Sequence, residues 1–262
     1  MEKITNKKVI SFLLLFVMVF SVFFVSASVN TAYAKYVSPL EGERVFIAGD
    51  SLNNPAKASK YGAFVQKTAQ NMGAKKITNK AVSCAALANV RNDKAKSLYK
   101  QVFDMGNSLK NYDVYFIVGG TNDYGGGGKG RAAVDKTKDS LEKIINKIHR
   151  VNPDGIIIVI TPLYRHSYND KTADCETKKN SYKKTLPNYR NGIEAVAKKL
   201  EVKKNVILIK GTSLATKAQM YNKKNTVDGL HPTATFAKNV LAKKLKIEID
   251  KKLVVEVVPV NK

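Results

Sequence analysis

A serine hydroxyl, an imidazole and a carboxylate can together cleave an acyl bond, and this sequence offers the three in that chemical sense at two sites. Ser51 lies in Gly49-Asp50-Ser51-Leu52, directly after the apolar run Val45-Phe46-Ile47-Ala48, so its hydroxyl falls where a strand turns into a loop. Far downstream, Asp228-Gly229-Leu230-His231-Pro232 holds a carboxylate and an imidazole three residues apart. A serine hydroxyl is a poor nucleophile until a base takes its proton. The base works best when a third group fixes its tautomer and stabilises the imidazolium. The spacing lets Asp228 and His231 share one loop, and Pro232 stiffens the exit from it.

Positioning these groups needs a scaffold, and the hydropathy pattern supplies one. Short apolar runs predict strands at Arg44 to Ala48, Lys76 to Lys80, Val114 to Val118, Ile156 to Thr161 and Val206 to Lys210. Between them the period changes. Leu141, Ile144, Ile145 and Ile148, and again Tyr189, Ile193, Val196, Ala197 and Leu200, fall on one face of a helix. Further helices are expected over 61–72, 86–105 and 233–249, and Asn152-Pro153-Asp154-Gly155 turns one helix into the fourth strand. The alternation predicts an α/β fold, a flavodoxin-like three-layer sandwich of about five parallel strands flanked by helices. Ligands of such open sheets bind beyond the carboxyl ends of the strands. Ser51, Asn122 and the Tyr164-Arg165-His166 loop follow the first, third and fourth strands, so all belong to one rim.

Other reactive-looking residues have plainer readings. Asp50 and Asp123 suit turn or helix caps. His149, beside Arg150, is expected at a helix surface. His166 is either part of a surface loop or a candidate substrate contact. The run Gly125-Gly126-Gly127-Gly128-Lys129-Gly130 lacks the spacing and the Ser/Thr of a phosphate cradle and reads as a loop beside Asn122. Cys84 and Cys175 are the only cysteines; they are too few for a disulfide framework, though one bridge between them is conceivable. No histidine or cysteine spacing suits a metal and no glycine pattern suits a nucleotide, so neither cofactor is expected.

Residues 1–34 have the marks of a secretory signal: Lys3, Lys7 and Lys8 precede an apolar stretch from Val9 to Val25, and Ala32-Tyr33-Ala34 offers a cleavage site. An uncleaved anchor is the rival reading. Removing residues 1–34 from 262 leaves 228 at 35–262, enough for a single well-buried domain. Three lysines and one glutamate go with the leader, so the formal charge of +24 becomes +22. The lysines are spread along the chain without an aromatic-studded stripe, which argues against specific nucleic-acid binding. They suit a solvated surface that adheres weakly to anionic wall polymers or membrane surfaces, in a protein that is secreted or attached to the cell surface.

Gly49-Asp50-Ser51-Leu52, Gly120-Thr121-Asn122-Asp123 and Asp228-Gly229-Leu230-His231 resemble the first, third and fifth sequence blocks of the SGNH (GDSL-type) hydrolase superfamily, in the same order and over nearly the whole mature chain. The resemblance implies that Ser51 is the nucleophile, His231 the general base and acid, and Asp228 the group that orients His231. It also implies three oxyanion donors: the amide of Ser51, the side-chain amide of Asn122, and a backbone amide from a second-block glycine. That block, Asn79-Lys80-Ala81-Val82-Ser83-Cys84, has Cys84 where the glycine usually stands. The N–H survives the replacement, but a cysteine adopts fewer backbone conformations and fills space beside the serine. The expected function is a serine esterase that removes acyl groups, acetyl above all, from a polysaccharide, a cell-wall glycan or a small ester. A lysophospholipase or short-chain lipase, and a non-catalytic basic wall-binding protein on the same fold, are the alternatives.

Overall fold

The computed structural model describes residues 34–90, 97–125, 130–167, 170–253 and 257–259. Apart from Ala34, the expected leader lies outside the described residues, as does the stretch 126–129 of the glycine run. The strands are β1 (Ala34–Tyr36), β2 (Arg44–Gly49), β3 (Lys76–Asn79), β4 (Val114–Val118), β5 (Ile156–Ile160), β6 (His166–Ser167), β7 (Asp170–Asp174), β8 (Val206–Ile209) and β9 (Val257–Pro259). The named helices are α1 (Phe64–Asn71), α2 (Leu98–Phe103), α3 (Thr121–Tyr124), α4 (Val134–Val151), α5 (Leu186–Leu200) and α6 (Ala242–Lys252). Ser38–Glu256 forms one compact unit. β1 and β9 pair antiparallel and belong to the other unit.

Five strands make one parallel sheet in the order β3-β2-β4-β5-β8. Numbered within the sheet this is 2-1-3-4-5, the flavodoxin-like winding. Both faces are covered, which is why the strands read as unbroken apolar runs rather than alternating ones. Successive side chains still divide between the two faces. Val45, Ile47, Val114, Phe116, Ile158 and Ile160 pack with Phe64 and Val65 of α1 and with Leu245 and Ile249 of α6. Phe46, Ala48, Tyr115, Ile117, Ile157 and Val159 pack with Ile144 and Ile148 of α4 and with Ile193 and Val196 of α5.

Four strands end one residue from their expected limits and β4 matches its own. The helix expected over 86–105 is corrected to α2 alone, with 91–96 outside the described residues. Residues 86–90 are irregular because the N–H groups of Leu87 and Ala88 donate to the Asp123 carboxylate, at 2.7 and 2.9 Å, instead of to a helical carbonyl. The last helix is continuous but contains a π turn, Ala237–Leu241, before α6. The turn begins where the chain crosses Gly62, at which a Cβ would stand 2.3 Å from the Ala237 Cβ. Only glycine permits that approach, and its φ of +86° adds a second reason. Among the described residues, no helix is long and apolar enough to cross a membrane.

Candidate active site

Where β2 stops, its final residue is held from the side. The Gln101 side-chain amide accepts from Gly49 N–H and donates to Gly49 C=O, both at 2.9 Å, in the manner of a neighbouring strand. The chain then turns: Asn53 N–H reaches Asp50 C=O and Leu52 N–H reaches the Asp50 carboxylate at 3.0 Å. Ser51 is lifted at this turn and is 7% exposed. Asp50 is a turn cap, as the sequence suggested, but it is wholly buried, and desolvation pushes its carboxyl up to about 6 against the pull of the Leu52 hydrogen bond.

Ser51 Oγ lies 2.8 Å from His231 Nε2, and His231 Nδ1 lies 2.7 Å from Asp228 Oδ2. The other Asp228 oxygen accepts from the N–H groups of Leu230 and His231 at 3.1 and 2.8 Å. Burial opposes ionisation of Asp228, but the hydrogen bonds from the His231 ring and from these backbone groups outweigh it and hold the carboxyl at about 2. An ionised Asp228 fixes the ring proton on Nδ1 and leaves the Nε2 lone pair facing the serine hydroxyl. The loop is closed at its base by the Thr226–Pro232 bridge, and Val227 N–H donates to His231 C=O at 2.8 Å.

On the opposite wall, Asn122 Nδ2 donates to Ala85 C=O at 2.9 Å, which leaves its second amide hydrogen for the cavity. Asp123, next to it, is fully buried and accepts from Leu87 N–H, Ala88 N–H and Thr137 Oγ1. Desolvation raises its carboxyl pKa, with those donors working against the rise. Asp123 is therefore the clamp that joins the second block to α3 and α4. Cys84 has φ +63°, the left-handed conformation expected of the glycine it replaces, which costs a side-chain-bearing residue about 1 kcal/mol. Its thiol is exposed and unpaired, while Cys175 is buried and unpaired, so no bridge joins them. The Arg131 guanidinium donates to the Cys84 carbonyl.

A cavity of about 370 Å³ is lined by Ser51, Cys84, Asn122, Asp228 and His231 together with Lys57, Tyr61, Arg131 and Arg165. The three expected donors and the three expected catalytic groups thus share one wall system. His166 is the exception. It is not among the cavity-lining residues: its N–H donates to Gly229 C=O at 2.8 Å and its ring lies 3.8 Å from that of Tyr221, so it braces the Asp228–His231 loop. His149, expected at the surface, is half-buried on α4.

Sequence reasoning placed Arg165 on the rim without a role and missed Tyr61, Gln101 and Arg131. The Tyr61 ring stacks on His231 with centroids 4.3 Å apart and planes 16° from parallel, placed there by the close crossing at Gly62. Only a fold brings these residues to Ser51, and no spacing announces them. Among the described residues, no three of His, Cys, Asp and Glu gather closely enough to hold a metal ion.

A parallel α/β sandwich that carries a serine, imidazole and carboxylate in line on its carboxyl rim has the layout of an acyl-transfer hydrolase. The GDSL-like lipase/acylhydrolase family model matches residues 45–243, and the chain belongs to that family. Solved structures with the same fold include a Lactobacillus plantarum protein (TM-score 0.61, 17% identity, 82% of this chain and 99% of that one). Others are a possible lipase from Chitinophaga pinensis (0.59, 17%, 80% and 98%) and a carbohydrate esterase family 2 enzyme from Corynascus thermopiles (0.55, 16%, 81% and 67%). No curated protein sequence matches the chain.

Proposed function

We propose that the protein is a secreted or cell-surface serine esterase that removes acyl groups, acetyl above all, from a polysaccharide or cell-wall glycan. The observation that carries the reading is the continuous relay from Ser51 Oγ through His231 to Asp228 at 2.8 and 2.7 Å. Ser51 Oγ attacks the ester carbonyl carbon and its proton passes to His231 Nε2. The oxyanion is met by the N–H groups of Ser51 and Cys84 and by the Asn122 amide. Collapse breaks the bond to the alcohol, which leaves with the proton from His231. Water, deprotonated by His231, then releases the acid and restores Ser51.

A cavity of about 370 Å³ is at the small end for ligand sites, which suits a short acyl group with part of one sugar. The fold is also that of a carbohydrate esterase, so the scaffold can host this substrate class. Export would follow from the leader-like residues 1–34. The test is hydrolysis of p-nitrophenyl acetate and acetylated glycans by the 35–262 chain. Ser51→Ala is expected to lose at least about 1,000-fold in kcat; an unchanged rate would refute the assignment. Activity that climbs steadily from acetyl to octanoyl esters would replace the glycan esterase with a lysophospholipase or short-chain lipase. No adduct of a fluorophosphonate with Ser51 in the folded protein would replace it with a binding module.

A further inference from the structure

The charge on the cavity wall is lopsided. Lys57, Arg131 and Arg165 line it against a single carboxylate, Asp228, which is already engaged by His231. Two neighbours outside the lining leave the balance as it is: Lys60 lies 5.4 Å from the Tyr61 ring centroid, and buried Asp50 faces Arg165 electrostatically. Four cations then stand against two carboxylates.

Arg165 gives the excess a direction. It is only 2% exposed although it forms part of the cavity wall. Its Nε donates to His166 C=O at 3.0 Å and its Nη1 to Thr121 Oγ1 at 2.9 Å, while its buried Nη2 meets no oxygen acceptor among the described residues and the guanidinium is partnered electrostatically by the Cys175 thiol and the Asp50 carboxyl. Arg165 therefore acts on the cavity through the weakly screened field of its buried guanidinium, which favours an anionic group in the cavity it lines.

Resting on the esterase reading, we infer that the cavity selects esters that carry a negative charge near the scissile bond. The natural substrate is then an acylated acidic glycan, whose anionic group is a carboxylate or a phosphate. The exposed lining residues Arg131 and Lys57 receive the anion, and the field of the buried Arg165 supports it.

Matched small substrates separate this selectivity from general adhesion to a basic surface. The measurement is acetate release from methyl 3-O-acetylglucuronoside and from its uncharged 6-methyl ester, and from 3-O-acetylglucose 6-phosphate against 3-O-acetylglucose. In at least one pair the charged member is expected to have a kcat/KM about tenfold higher, with the advantage shrinking as salt rises; the pair that shows it identifies the anion. Lys57→Gln and Arg131→Gln, both at exposed residues, are expected to bring the charged-to-neutral ratio toward one. Lys143→Gln on α4, outside the cavity, is expected to leave that ratio alone. The buried Arg165→Gln is made as well, but the test does not depend on its folding. Ser51-dependent hydrolysis with a ratio near one in both pairs overturns the anion preference and spares the esterase. A preference that falls equally in Lys143→Gln also overturns it. Failure to cleave any of the four substrates, or p-nitrophenyl acetate, removes the esterase reading itself.

Discussion

The two walls that meet at Ser51 are held by contacts of opposite range. On the base wall, the hydrogen bonds made by Asp228 and His231 themselves, apart from the one to Ser51, come from residues 226–232: the Asp228 carboxylate, the N–H groups of Leu230 and His231, and the Thr226–Pro232 bridge. His166 on Gly229 and the Tyr61 ring are braces from outside. On the donor wall, Asp123 reaches back to Leu87 and Ala88 and forward to Thr137, Asn122 reaches Ala85, and Arg131 reaches Cys84. The first wall takes its hydrogen bonds from a short peptide and only its outer braces, His166 and Tyr61, from elsewhere. The second exists only once α3, α4 and the second block have come together. On the proposed reading, the proton relay of this site depends mainly on local bonds and its transition-state binding on the whole fold.

Asp228→Asn breaks the base wall alone. The amide cannot hold the His231 proton on Nδ1 as a carboxylate does, so kcat on p-nitrophenyl acetate is expected to fall by about 10³ to 10⁴. Far-ultraviolet circular dichroism should keep its native shape. A large loss of fold in this variant would remove the contrast between the walls.

Asp123→Ala attacks the donor wall and should act mainly through stability. It leaves two buried N–H groups and one hydroxyl without their acceptor, at a cost of about 3 kcal/mol in urea unfolding. Part of the catalytic rate should follow as Asn122 and the 84–88 segment loosen. A variant of unchanged stability would show that the clamp is not needed.

Cys84→Gly is the gentlest probe. It relieves the left-handed strain of about 1 kcal/mol, partly offset by the extra freedom glycine gives the unfolded chain, so a rise of a few tenths of a kcal/mol is expected. A loss of stability in thermal melts would mean that the cysteine side chain contributes packing that outweighs its backbone strain.

The same difference in range explains what the sequence disclosed. The five strands were readable because parallel strands buried on both faces are continuous apolar runs, and α4 and α5 because their apolar residues repeat at helical spacing. Ser51, Asp228 and His231 carry their meaning in adjacent residues. Residues 86–90 look helical by composition, yet the Asp123 carboxylate, 35 and 36 positions away, captures the N–H groups of Ala88 and Leu87. Tyr61 over His231, Gln101 on Gly49 and Arg131 on Cys84 are likewise products of chain crossings. The left-handed backbone of Cys84 is an intermediate case: its replacement of a glycine was visible, but its φ required the loop to be built.

The closed loop at 226–232 has a consequence for how this site can change over time. Its ends are pinned together by the Thr226–Pro232 bridge and, just outside, by Thr233 N–H on Asn225 C=O at 2.8 Å. Insertions at the exposed 222–224 turn would lengthen the approach to the loop without altering its interior. The base and its orienting acid therefore keep their mutual geometry when the approach to the loop changes in length, while His166 and Tyr61 tie that geometry to the rest of the fold.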